Sequence, residues 1–171
     1  LSPWGSTVTV DGTPKGETPL TLTLPPGTYR LRVEKEGYEP FEQELTLDQE
    51  ETLRGELKDI AIPTLSLSPL PVQVEEGRQL AITLTASDNE RVKRLELLID
   101  GAVVYESPGD SLLYPWDTSS FLGEHLVLGR AYDEEGNMGQ TEVEIEITRA
   151  EMATVTPTAT IPAVTPQPTP L

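Results

Sequence analysis

The feature that most constrains the fold is an alternation of apolar and polar side chains after a proline and glycine turn at residues 25–27. In segment 28–34, tyrosine, leucine and valine occupy every second position and are separated by threonine, arginine and glutamate. This period of two is that of a β-strand with one face on an apolar core and the other in water. Because no segment sustains a helical period of 3.6 residues, the sequence predicts an all-β protein.

The same alternation marks other strands in the first third of the chain. The leucines of segment 20–24 are expected to face the core, as are the apolar residues of the neighbouring strands. Asp11-Gly12 has the composition of a tight hairpin turn. The strands predicted for this part of the chain are residues 7–10, 20–24, 28–34, 41–47 and 52–57.

This first part resembles a PEGA domain over residues 3–57. The turn glycine is kept where Pro25-Pro26-Gly27-Thr28 stands in place of the Pro-Glu-Gly-Ala of the family. The resemblance implies a small β-sandwich-like module of bacterial and archaeal surface proteins, without a known catalytic site. The segments that carry it are Val8-Thr9-Val10-Asp11-Gly12, Gly16-Glu17-Thr18-Pro19-Leu20, Leu24-Pro25-Pro26-Gly27-Thr28-Tyr29 and Val33-Glu34-Lys35-Glu36-Gly37-Tyr38.

A proline-rich segment, residues 59–71, separates this part from a second set of strands. Its prolines disfavour a helix or a central strand, so we expect a linker that becomes the first edge strand of the next domain. About seven short strands separated by turns follow, which is typical of an immunoglobulin-like sandwich. They resume at Val72 and include residues 80–86, 92–99, 102–105, 112–116, 124–132 and 141–147.

Residues 64–148 resemble bacterial Ig-like domains of secreted and surface proteins. The resemblance is carried by Ala86-Ser87-Asp88, Leu97-Leu98-Ile99-Asp100-Gly101, Pro115-Trp116-Asp117-Thr118 and Ala131-Tyr132-Asp133-Glu134-Glu135-Gly136-Asn137. The predicted fold is therefore two tandem β-sandwich modules, PEGA-like and then Ig-like. The predicted divisions are a PEGA-like domain at 1–58, a linker and edge strand at 59–71, an Ig-like sandwich at 72–149 and a tail at 150–171.

The tail is rich in threonine and proline. Residues 152–171 hold six threonines, five prolines and no charge, which favours an extended, disordered stalk. Such stretches are typical of extracellular chains, so we expect an extracytoplasmic location, at the cell surface or secreted. The chain begins Leu1-Ser2-Pro3, and we expect it to be a piece or processed product of a longer protein, with any anchor outside it.

The charge and the cysteine content of the sequence exclude several classes of function. With 29 acidic against 12 basic residues, the net charge of −17 repels nucleic acids and anionic lipid. The absence of cysteine excludes disulfides, thiolate metal sites and thiol nucleophiles. The sequence has no apolar run of the length needed to cross a bilayer. We expect a monomer without a cofactor that contacts protein or cell-wall glycan.

Oxygen-bearing side chains in two predicted loops suggest a weak calcium site. Two loops at the ends of sandwich strands could supply hard oxygen ligands, although their spacing is not that of an EF-hand. The alternative is a pair of ordinary turns, in which Asp and Asn bind their own backbone. The candidate ligands are Asp88, Asn89, Glu90, Asp133, Glu135 and Asn137.

Catalytic chemistry finds little support in the sequence. His125 is the single histidine and lies in a predicted strand, where we expect a structural role. The glutamates of segment 142–146 alternate along one strand face, as expected for a solvated surface. Of the two tryptophans, Trp116 is expected in the core, and Trp4 lies near an end. The sequence predicts no enzyme.

The predicted function is that of a non-enzymatic, extracytoplasmic segment of a bacterial surface or secreted protein. It would act as a spacer or as a module that contacts protein or glycan. Two alternatives stay open at this stage. One is the ectodomain of a membrane-bound sensor such as a kinase, and the other is a carbohydrate-binding module attached to a secreted hydrolase.

Overall fold

The structure is a computed structural model that describes residues 1–149. The described residues form twelve strands and no helix, which confirms the all-β prediction. Consequently, none of residues 1–149 lies in a helix long and apolar enough to span a membrane. The predicted threonine and proline tail lies outside the described residues.

The N-terminal unit is a single antiparallel sheet with strand order β2-β1-β3-β4. The inward side chains of its strands form a small core with Tyr38 and Leu57, in which Val33 is fully buried. Irregular segments supply the other side of this core, through residues such as Leu22, Leu24 and Leu53. The strands are β1 (Thr7–Val10), β2 (Thr13–Glu17), β3 (Gly27–Glu34) and β4 (Phe41–Leu47).

The strand predicted at residues 20–24 is wrong. The strand beside β1 is instead Thr13–Glu17, because the turn at Asp11 (φ 49°) and Gly12 (φ 74°) folds the chain straight back into a hairpin. The other edge of β1 is taken by β3, so no partner remains there for segment 20–24. Leu22 and Leu24 do pack on the core, but Leu20 is 38% exposed.

The strand predicted at residues 52–57 is also wrong. Only an isolated parallel bridge between Ser2 and Glu56 forms there. Its backbone bonds run from the amide of Ser2 to the carbonyl of Gly55 and from the amide of Leu57 to the carbonyl of Ser2, each at 2.8 Å. Leu57 is buried. The apolar pattern therefore correctly indicated a buried side chain, although the segment does not pair as a strand.

The C-terminal unit contains two facing sheets with strand orders β10-β7-β5 and β6-β12-β11-β8-β9. Their inward side chains enclose one apolar core, in which Ile82, Leu84, Leu95, Leu97 and Val127 are fully buried. The strands are β5 (Thr64–Leu67), β6 (Gln73–Glu75), β7 (Gln79–Ser87), β8 (Val92–Ile99), β9 (Ala102–Pro108), β10 (Ser111–Asp117), β11 (Gly123–Asp133) and β12 (Met138–Thr148).

The segment between the units is fixed on the C-terminal unit by a close backbone approach. β5 lies at the edge of its sheet, as expected of a strand that follows prolines. Just before it, the carbonyl oxygen of Pro63 lies against Gly139 at the start of β12, where an added Cβ would be 1.9 Å from that oxygen. Only glycine fits this contact without a shift of the backbone.

Candidate functional site

The two units meet through side-chain hydrogen bonds at one end of each. Tyr38 Oη donates to Glu90 Oε1. Asn89 Nδ2 donates to Asp59 Oδ1 at 3.1 Å, and Asn137 Nδ2 donates to the carbonyl of Asp59 at 3.2 Å. We call this group of contacts the domain junction, and Asp59 lies at its centre.

Backbone pairing within the N-terminal unit holds Asp59 in place. Tyr38 and Asp59 form an antiparallel bridge. The amide of Glu39 donates to the carbonyl of Lys58 at 2.8 Å, and the amide of Ile60 donates to the carbonyl of Gly37 at 2.9 Å. The side chain of Asp59 is therefore presented to the C-terminal unit by paired backbone.

The loop between β11 and β12 is ordered around Asp133. Its Oδ1 accepts bonds from the amides of Gly136 at 2.6 Å and Asn137 at 2.7 Å, and its Oδ2 accepts a bond from Asn137 Nδ2 at 2.6 Å. An aspartate that accepts bonds from residues ahead of it is a common way to shape a turn. This loop also positions Glu135, whose side chain is exposed.

Three carboxylates converge at the junction. One oxygen each from Asp59, Asp133 and Glu135 lies within 4.8 Å of the other two. Asp59 is 2% exposed and Asp133 is 1% exposed. Asp59 Oδ2 is buried and has no hydrogen-bond partner within residues 1–149. Carboxylate oxygens are hard ligands, so the residues could hold a hard cation such as Ca²⁺.

Asp88 borders this cluster. Burial raises the pKa of its carboxyl group, and the charges of Asp59 and Asp133 raise that pKa further, while backbone hydrogen bonds oppose the shift. Its Oδ1 is buried and also lacks a partner among the described residues. Burial likewise raises the pKa of the Tyr38 hydroxyl, as does the hydrogen bond to Glu90. The junction is therefore an environment that disfavours additional negative charge.

A cavity of about 290 Å³ opens beside the cluster, between the two units. Five acidic residues and one basic residue, Arg91, contribute to its wall. Its lining consists of Ser2, Pro3, Tyr38, Glu56, Leu57, Asp59, Glu90, Arg91, Glu134 and Glu135. The excess of carboxylates makes this cavity attractive to cations.

The structure brings the six sequence-predicted ligands to the junction, but in different roles. Asp133 and Glu135 belong to the carboxylate cluster, and Asp88 borders it. The remaining three make hydrogen bonds there: Asn89 to Asp59, Glu90 to Tyr38, and Asn137 to Asp133 and Asp59. Calcium binding itself stays a prediction.

Sequence reasoning missed Asp59, which joins the cluster from the other unit. The available signal was its position, an acid at the boundary between the first domain and the proline-rich segment. In tandem domains such a residue faces the loops at the near end of the next domain. Alternation within one domain carries no information about this proximity.

His125 and Trp116 occupy structural positions. His125 Nδ1 lies 2.6 Å from Asp100 Oδ2, and its ring meets the rings of Trp116 and Phe121 edge on. The hydrogen bond to His125 lowers the pKa of Asp100. Trp116 is 1% exposed, as predicted for a core residue, whereas Trp4 is 75% exposed.

A larger cavity, of about 600 Å³, lies on the core side of the N-terminal sheet. Its wall includes Val8, Val10 and Leu31 from the strands and the irregular segments 20–24 and 48–53. It marks the looser packing on this side of the sheet.

Comparisons with known proteins agree with the two-unit organisation. Residues 2–59 match the family model of the PEGA domain, and residues 67–128 match that of the bacterial Ig domain. No curated protein matches the chain.

Two solved structures are similar to this chain. The fibronectin(III)-like modules of Clostridium thermocellum CbhA are 26% identical, with a TM-score of 0.45, over 52% of this chain and 100% of that one. The Yersinia pseudotuberculosis adhesin InvE is 15% identical, with a TM-score of 0.31, over 86% of this chain and 50% of that one.

Proposed function

Because the chain carries a PEGA domain followed by a bacterial Ig domain, we propose that it is a non-enzymatic spacer in the extracytoplasmic part of a bacterial surface or secreted protein. The spacer holds the neighbouring parts of that protein at a fixed distance and angle from one another. The resemblance of both domains to modules of surface proteins supports the location, as does the threonine and proline tail in the sequence.

The observation that carries the proposal is the direct contact between the domains at the junction. A flexible linker would leave the end residues of both domains in water. Here Asp59 is 2% exposed and accepts hydrogen bonds from Asn89 and Asn137 of the second domain. The carbonyl of Pro63 also lies tightly against Gly139. Such contacts favour one relative orientation over many.

The high negative charge suits this role. A net charge of −17 keeps a solvent-exposed spacer soluble and discourages self-association. Glutamates line exposed strand positions in both domains, for example Glu44 in β4 and Glu144 in β12. A spacer of this kind does not require a substrate pocket.

The test is the distribution of distances between the domains in solution. Because the chain has no cysteine, Thr13→Cys and Ala102→Cys place two spin labels at exposed sites next to hairpin turns far from the junction. Pulsed dipolar spectroscopy in calcium-free buffer is expected to give one narrow distribution. The control carries a glycine and serine insertion after Pro63, which should broaden it.

A distribution as broad in the parent as in the insertion control would contradict the spacer of fixed geometry. The two domains would then move independently, and the junction contacts would be too weak to set their orientation.

A further inference from the structure

We propose that the domain junction binds one calcium ion between Asp59, Asp133 and Glu135, and that this ion cross-links the two domains. The proposal goes beyond the spacer function and stands on the geometry of the junction alone. Its new element is the ligand from the N-terminal domain, since Asp59 pairs with Tyr38 of that domain, while Asp133 ends β11 and Glu135 follows it.

The spacing of the oxygens suits a single ion. Calcium binds oxygens at about 2.3–2.6 Å, so two oxygens on opposite sides of one ion lie about 5 Å apart. The three carboxylate oxygens all lie within 4.8 Å of one another. One ion can therefore contact all three without a large movement of the backbone.

A second observation points independently to a ligand. Asp59 Oδ1 accepts bonds from the amide of Ala61 at 2.9 Å and from Asn89 Nδ2 at 3.1 Å. Oδ2 of the same carboxylate is buried and has no partner in the described part of the chain, although Asp59 is 2% exposed. A buried, unpartnered carboxylate oxygen is unfavourable, and a bound cation would offset that cost.

The surrounding charges also favour a cation. Within residues 1–149, none of the three carboxylates forms a salt bridge with a lysine or arginine, and Lys93 pairs with the neighbouring Glu134 at 3.5 Å. Arg91 is the one basic residue among those lining the adjacent cavity. Three clustered negative charges without a salt-bridge partner in the described residues raise the local affinity for a divalent ion.

The chemistry of the ligands favours calcium over other metals. The cluster offers oxygen only, with no histidine or cysteine, which suits hard cations rather than zinc or copper. Calcium accepts several carboxylates in irregular geometry, whereas magnesium requires a near-octahedral shell and retains its waters. Since Glu135 is exposed and borders the cavity, water can complete the coordination shell.

The first experiment is calorimetric titration of the whole chain with CaCl₂ at neutral pH. We expect saturable binding of one ion. Asp59→Asn and Glu135→Gln should each weaken it by about tenfold or more, whereas Glu124→Gln, an equal charge loss at the opposite end of β11, should leave it unchanged. Because Glu135 is exposed, its variant should fold even if Asp59→Asn does not. MgCl₂ should bind more weakly than CaCl₂.

The contrary outcomes are equally specific. No saturable heat up to about 5 mM, above the range of weak extracellular calcium modules, would overturn the proposal. Unchanged affinity in a folded Asp59→Asn variant would also overturn it, since the ion would then belong to the β11 to β12 loop alone. Equal affinity for magnesium would refute the assignment to calcium.

The spin-labelled protein separates this proposal from the spacer function. The calcium-free distance distribution tests the spacer, and the titration tests the ion. If both proposals hold, calcium should narrow the distance distribution further in the parent and not in Glu135→Gln.

Discussion

The two domains build their cores in different ways from the same kind of alternating sequence. The Ig domain closes two sheets over twelve buried apolar residues, whereas the PEGA domain has one sheet and six. In the PEGA domain, irregular segments supply the second side of the core and border a cavity of about 600 Å³. Alternation therefore specifies which side chains are buried, while closure by a second sheet determines how completely they are buried.

The largest expected effect is a loss of folding stability when a core leucine is replaced by alanine, and it should differ between the two domains. Leu84→Ala removes a fully buried side chain between the Ig sheets, so it should lower the free energy of unfolding of that domain by about 3–5 kcal/mol. Leu24→Ala, in the irregular cover of the PEGA domain, should cost about 1 kcal/mol because the side chain is only partly buried and borders the cavity. Urea unfolding of both variants measures the difference. Equal losses would refute the contrast between the cores.

An intermediate effect is expected at the segment that joins the domains. In Gly139→Ala the new Cβ meets the carbonyl oxygen of Pro63, so the backbone must shift, at a cost of about 1–3 kcal/mol. Calorimetry should show a lower midpoint for the Ig transition, and the spin-label distance should change. Gln140→Ala, at the exposed neighbouring position, is the control. A wild-type midpoint and distance in Gly139→Ala would show that the contact is not tight.

The smallest effect concerns pH and the Ig domain alone. The hydrogen bond to His125 lowers the pKa of Asp100 in the folded state. A lowered folded pKa contributes stability above the ordinary aspartate pKa, and this contribution is lost as the pH falls through the folded pKa. Because Asp100 is half-exposed, the loss should stay below about 1 kcal/mol. His125→Leu should therefore flatten the decline of the Ig midpoint between pH 5 and about pH 3. An unchanged slope would contradict the coupling.

The sequence predicted strands best where apolar side chains mark a buried face of the strand. β4 and β8 have the predicted bounds, and β11 and β12 are slightly longer than predicted. β2 was missed because its side chains are all exposed and show no apolar alternation. The predicted domain boundaries stay predictions.

The candidate site was only partly predictable for a related physical reason. The sequence could point to Asp133 and Glu135 as members of the carboxylate cluster because Asp-rich turns at strand ends have a local signature. Asp59 could not, because its part in the cluster depends on how one domain sits on the next. Such a dependence involves distant contacts that no local pattern records.

The bridge between Ser2 and Glu56 has a mechanical consequence. Tension applied between residue 1 and the linker pulls these two parallel segments in opposite directions along their length, so their two backbone bonds are loaded together in shear. The PEGA domain would then transmit small forces without extending, and it would extend abruptly once the hydrogen bonds of the bridge break.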